Sequence, residues 1–214
     1  MIDTLVETLK ILLLAVLAAV VYGILHDQVT VRVCLEYFTV AHPRVFDTDS
    51  PTLLAAGWGI IATWWMGFVL GIPAAVLAAW GRAPKLRAAE LLRPIAVLLG
   101  TMACLALLAG VAAYVLTARG VWTLDPSWAI RISGPHHARF QAASAAHLTS
   151  YGVGAMGGVF LCLWIWWQRR LRAAEQRRSH GTTPARAAAA SSTSVPGSGT
   201  GCTSASTIRR SSGK

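Results

Sequence analysis

SPTLLAAGWGIIATWWMGFVLGIPAAVLAAWG, residues 50–81, contains no charged side chain. A helix needs about 20 consecutive apolar residues to cross the hydrocarbon core of a bilayer. The stretch is therefore read as a membrane span. It is longer than a crossing requires, which predicts a tilt or a bend. Pro73 is the natural bending point, because it removes one backbone donor.

Working outward, three more such stretches follow the same rule. Residues 5–25 are apolar apart from Glu7 and Lys10 near the start, where long side chains reach back to the interface. Residues 94–118 and 148–168 carry no charge at all. Together they predict an all-α, integral membrane four-helix bundle. Its spans are about 5–25, 53–80, 94–117 and 147–168, within a membrane domain of residues 1–178. Composition agrees: 55% of the chain is hydrophobic and 13% charged, where a soluble domain carries about 25% charged residues. The first stretch is read as a retained span rather than a cleaved signal. Asp3 and Glu7 precede it without a positive cluster, and no small-x-small cleavage site ends it.

The net charge of +10 is unevenly placed. Residues 169–214 hold nine Lys and Arg against one acid, Glu175, so the tail is +8 and the rest only +2. No aromatic residue follows Trp167, so the tail lacks the stacking groups of a nucleic-acid binder, and no nucleic-acid partner is expected. The expected surroundings are the lipid bilayer, with a membrane-protein partner or a homo-oligomer as further options. Grouping the N-terminus, residues 82–93 and the tail gathers 14 Lys and Arg on one side, against five on the other: Arg32, Arg44, Arg119, Arg131 and Arg139. Positive flanks mark the cytoplasmic side. The expected location is a bacterial inner membrane with both termini inside and residues 26–51 and 119–146 outside. Arg169, Arg170, Arg172, Arg177 and Arg178 continue the last span as a basic helix. Residues 179–214, rich in Ala, Ser, Thr and Gly, are expected to be a disordered cytoplasmic tail.

Several features are read for packing before function. Gly67 with Gly71, and Gly154 with Gly158, are small-xxx-small pairs that let helix backbones approach; packing inside the bundle is favoured over homodimerisation. Residues 152–157 spell GxGxxG, but inside a span they carry no dinucleotide signal. Trp80, Trp164, Trp166 and Trp167 sit where an inner aromatic belt belongs, and Trp122 and Trp128 where an outer one does. Trp64 and Trp65 fall mid-span and are expected either between helices or lining a cavity. Cys34, Cys104, Cys162 and Cys202 form no CxxC pair and no zinc spacing.

The polar chemistry collects on the outer side. His26, His42, His136, His137 and His147 lie there, as do Asp27, Glu36, Asp47, Asp49 and Asp125. His26 and Asp27 are read as ending span one, and His147 as opening span four. His136, Phe140, Ala143, His147 and Tyr151 recur at the helical period, which predicts that span four starts as an amphipathic extension, with Ser150 beside its stripe. His26, Asp27, Glu36 and His147 are accordingly expected to form one constellation. Two functions follow. One is a structural or accessory membrane protein, suggested by the lack of charge deep in the spans and of any catalytic string. The alternative is a membrane enzyme or a metal- or haem-binding protein that uses the outer cluster. Enclosure of His26, Glu36 and His147 within about 5 Å of one another favours the alternative. Which cofactor, if any, is not specified by the residues.

The strings Tyr22-Gly23-Ile24-Leu25-His26-Asp27-Gln28-Val29-Thr30, Glu36-Tyr37-Phe38-Thr39, Thr63-Trp64-Trp65 and His147-Leu148-Thr149-Ser150-Tyr151 resemble an uncharacterised family of small bacterial multi-pass membrane proteins. The resemblance covers roughly residues 20–168. It implies a four-span architecture and no particular activity. Members place Ser-Pro ahead of the glutamate as a helix start; this chain has Cys34-Leu35.

Overall fold

A computed structural model describes residues 2–191, with side chains through 179. Helices α1 (Ile2–Val33), α2 (Leu35–Thr39), α3 (Pro51–Ala79), α4 (Ala88–Ala118), α5 (Pro126–Ala129) and α6 (His137–Ser191) follow in order, with a 3-10 turn at Gly134–His136 before α6. No strand occurs among the described residues. Four helices are long and apolar enough to cross a membrane. Of the described residues, those through Ala173 form one compact unit, and from Ala174 the chain is helical to Ser191. The rest of the tail expected to be disordered lies outside the described residues.

The spanning helices overshoot the predicted limits. α1 continues beyond Asp27 to Val33, because no Gly or Pro interrupts 28–33. His26 and Asp27 therefore lie within α1, which continues past them. α3 runs unbroken through Pro73. Its start is capped by Ser50, whose Oγ accepts from the Leu53 N–H, with Pro51 in the first turn. α6 begins ten residues before His147, as the His136–Tyr151 periodicity predicts, and buries Phe140, Ala143 and His147.

Glycines bring α1 and α3 into backbone contact. A Cβ built on Gly59 would lie 2.6 Å from the Ile24 Cα, and one on Gly67 would lie 2.8 Å from the Ala15 carbonyl oxygen. Gly59, Thr63, Gly67 and Gly71 recur every fourth residue, so one stripe of α3 faces α1. Gly67 and Gly71 thus pack within the chain. So do Gly154, against Met102 of α4, and Gly158, against Leu70 of α3. Because that stripe takes the inward positions, Trp64 and Trp65 turn outward. They are 50% and 43% exposed on the outside of the bundle, and line neither of its cavities.

One end of the bundle is tied by polar contacts among the N-terminus, the 80–87 turn and the start of the basic helix. Glu7 accepts from the Ala88 N–H at 3.1 Å and so caps α4. Trp80 Nε1 donates to Thr8 Oγ1 at 2.8 Å. Gly81, at φ +91°, ends α3 in the left-handed region. Arg169, buried, donates to the carbonyls of Leu77, Trp80, Ala83 and Pro84. The guanidinium thus binds the carbonyl end of α3, where the helix dipole favours a cation. These contacts place the N-terminus, the 80–88 turn and Arg169 at the same end of the bundle.

Candidate functional site

At the opposite end, α1 and α6 bring three of the four expected residues together. His26, Asp27 and His147 each offer a ligand atom, all within 4.8 Å of one another. The His26 and His147 rings meet edge to face with centroids 4.6 Å apart. Asp27 and His147 are buried. Tyr22, one turn before His26, stacks on its ring and shares a 2.7 Å hydrogen bond with Ser150, one turn after His147. The i−4 spacing of Tyr22 was a visible signal for its membership.

Glu36 is not part of this group. α2 starts directly after Cys34, and the turn aims Glu36 at the segment before α6, where His136 Nδ1 bonds its Oε1. The Cys34 thiol donates to the other carboxylate oxygen at 3.3 Å. Burial pushes the Glu36 carboxyl up, but its own backbone N–H, the Cys34 thiol and the His136 ring together draw it below the usual carboxylate value. Burial raises the Cys34 thiol to about 11, so it stays protonated and is a poor nucleophile. This second group pins α2 to the outer loop; Cys34 also packs with Leu124, Ile132 and Phe140 in a small apolar cluster. Cys34 is the single residue between α1 and α2.

Above the three residues, α2 supplies aromatic cover. The Tyr37 ring lies 4.4 Å from that of His147, and the buried Phe38 ring lies 5.9 Å from it. His42 stacks on Phe38 and packs against Trp58 of α3. Burial raises the Tyr37 hydroxyl above its ordinary value, so it remains neutral. Sequence reasoning missed this cover, because nothing in the spacing of 37–42 says that the chain folds back over the bundle.

The hydrogen-bond pattern of His147 limits what the group can be. Nδ1 lies 2.8 Å from the Ala143 carbonyl, which only accepts, so Nδ1 carries a proton and donates. Nε2 lies 3.1 Å from Asp27 Oδ1. A carboxylate oxygen and a bare ring nitrogen are both acceptors, so this contact requires a proton or another cation between them. His26 Nε2 is also buried and has no hydrogen-bond partner. Two imidazoles and a carboxylate therefore converge, with His26 Nε2 unpartnered and only the His147 tautomer fixed by a backbone carbonyl. A metal-binding histidine commonly donates its second ring N–H to a backbone carbonyl, which fixes the tautomer and aims the other nitrogen at the ion. His147 has that arrangement.

A haem does not fit between these histidines. Their rings touch directly, and the adjoining cavity measures about 120 Å³, against roughly 300–1,000 Å³ for sites of drug-sized ligands. A single ion needs no such space. Compared with family models, with curated proteins and with solved structures, the chain has no match. What the site can do rests on its chemistry.

Proposed function

We propose that the protein is a multi-pass protein of the bacterial cytoplasmic membrane that holds a divalent first-row transition metal ion at the outer mouth of its bundle. The ligands are His26 Nε2, the Asp27 carboxylate and His147 Nε2. The observation that carries the reading is the convergence of two imidazoles and a carboxylate within 4.8 Å, with His147 Nδ1 committed to the Ala143 carbonyl. Ligand bonds to such an ion are about 2.0–2.2 Å. In a tetrahedral site ligand atoms then stand about 3.4 Å apart, so donor atoms now within 4.8 Å of one another need to close in by no more than about 1.5 Å, within the reach of side-chain rotation.

Two imidazoles and one carboxylate leave coordination positions open. That donor set serves non-haem Fe²⁺ sites and, with a bound water, catalytic Zn²⁺ sites. The ion would carry Lewis-acid or ligand-binding chemistry, and the protein residues would hold it, keep His147 in one tautomer and exclude bulk water through Tyr37 and Phe38. The side on which this mouth lies follows from the charge split. The end tied by Arg169 also carries the Lys- and Arg-rich segments, which supports placing it in the cytoplasm. Reporter fusions after Asp47 and after His180 test this: a periplasm-active reporter working at His180 overturns it.

Elemental analysis of the full chain, purified in detergent without chelator, tests the metal reading. The expected result is one Fe or Zn per chain, lost in Asp27→Asn and His147→Ala and retained in Glu36→Gln. If the protein takes up neither ion when each is supplied in excess, the trio is a proton-shared pin between α1 and α6. A structural or accessory role then takes the place of this reading.

A further inference from the structure

The three ligand side chains also line one end of a cavity between the four spanning helices. Apart from Tyr22, Thr63, Ser150 and Tyr151 its wall is apolar, and it reaches down α1 from His26 to Ile11, about 22 Å at 1.5 Å per residue. Its volume is about 120 Å³. An engineered apolar cavity of about 150 Å³ stays dry and takes benzene or xenon. The space is thus suited to a few apolar atoms and not to a lipid chain. A groove on the outer surface between α4 and α6 shares two wall residues, Leu98 and Leu161, with this cavity. Leu98 and Leu161 thus stand where the groove and the cavity adjoin. On the aqueous side, by contrast, Tyr37 and Phe38 cover His147.

We propose, building on the metal reading above, that this cavity conducts a small uncharged gas of the dioxygen or nitric oxide kind from the bilayer interior to the open positions of the ion. An apolar gas is favoured in hydrocarbon over water, so the bilayer concentrates it at the α4–α6 groove. Movement of Leu98 or Leu161 joins groove to cavity, and no polar group stands between that point and the trio except the hydroxyls of Tyr22, Thr63, Ser150 and Tyr151. An anion of similar size has no such path. It would have to shed its hydration in the apolar cavity or pass the aromatic cover.

The test uses the full chain in lipid nanodiscs, loaded with Fe²⁺ without oxygen. Nitric oxide is the gas probe, followed by the electron paramagnetic resonance signal of its Fe²⁺ adduct and by stopped-flow absorbance. Azide is the anionic probe. The expected outcome is a nitric oxide adduct that forms rapidly in wild type while azide does not bind. Leu98→Trp and Leu161→Trp plug the partition; each should keep its iron and slow nitric oxide binding by about tenfold or more. Tyr37→Ala opens the aqueous cover and should admit azide without slowing nitric oxide. If iron is held but no adduct forms, or azide binds wild type as readily as nitric oxide, or both plugged variants bind nitric oxide at the wild-type rate, the gas path is wrong and the metal site stands. If iron is not retained at all, both readings fall together. The azide comparison needs no variant, so it decides the matter even where a plugged variant does not fold.

Discussion

Gly59→Ala tests the link between helix packing and the site. The added Cβ would lie 2.6 Å from both Cα and N of Ile24 and 2.7 Å from the carbonyl carbon of Gly23. Comfortable carbon contacts are about 3.5–4.0 Å, so α1 and α3 must part by roughly 1 Å at this crossing. The clashing atoms are backbone, so no side-chain rotation relieves them. Overpacking of a tight core costs about 1–3 kcal/mol, and a backbone clash belongs at the upper end. For a chain of this size that corresponds to a Tm about 4–12 °C lower. Displacing Gly23 and Ile24 also displaces His26 and Asp27, less than one turn away, and lengthens the 3.1 Å contact from Asp27 to His147. The assay is thermal unfolding in detergent by circular dichroism, together with metal content. Gly100→Ala is the control: a Cβ there meets nothing within 4 Å, so its Tm should match or slightly exceed wild type. A Gly59→Ala protein with wild-type Tm and full metal occupancy would refute the reasoning.

Arg169→Ala removes the donors that satisfy four carbonyls around the end of α3, and should lower stability by about 2–4 kcal/mol. Arg169→Lys should recover only part of this, since one ammonium cannot span the same fork; equal Tm values for wild type and both variants count against it. Glu36, whose carboxyl is held below its ordinary value of 4.5, contributes stability that is present above that value and is lost as pH falls through the lower folded one. Glu36→Gln should therefore flatten the acid limb of the stability profile below about pH 4.5, by no more than about 1 kcal/mol because the pair is partly solvated; an unchanged limb argues against the His136 contact. Cys34, buried and protonated with its thiol at about 11, should resist maleimide at neutral pH in the folded protein and react after denaturation in SDS. Labelling in the folded state at the rate of a free thiol would contradict its burial.

The bundle was legible because long uncharged runs need no context to be read: the hydrocarbon core demands helices of that length and composition. The helix ends were less so. Residues 28–33 carry Gln28 and Arg32, which look like an exit from the membrane, yet α1 continues because nothing in that segment breaks a helix. His26, Asp27 and His147 were found by matching depth along two spans, a length argument that survives errors of a turn. Glu36 was misplaced because depth says nothing about direction: ten residues past His26, a five-residue helix decides which way a side chain points. Trp64 and Trp65 show the same limit. Only the partner of Thr63 and Gly67 tells which face of α3 is inside, and that partner, α1, lies some 40 residues earlier in the sequence.

The two buried polar groups of the bundle differ in a way that bears directly on function. Arg169 brings a guanidinium to a set of carbonyls, and its Nε and both Nη atoms reach acceptors; charge and hydrogen bonds are matched within the chain. His26, Asp27 and His147 present the opposite balance. His147 has spent its one obligatory donor on Ala143, leaving its Nε2 against the Asp27 carboxylate, while the buried His26 Nε2 has no partner. A bundle that only needed to hold α1 against α6 would gain more from apolar side chains of the same volume, as α3 does with glycine and alanine, since a half-satisfied polar group is worse than none. A proton would relieve only the Asp27–His147 contact and would leave His26 Nε2 unpartnered. A divalent cation would bind one ligand atom from each of the three side chains at once. That difference in balance, and not the mere presence of histidines near an interface, is the reason to look for a metal at this end of the molecule.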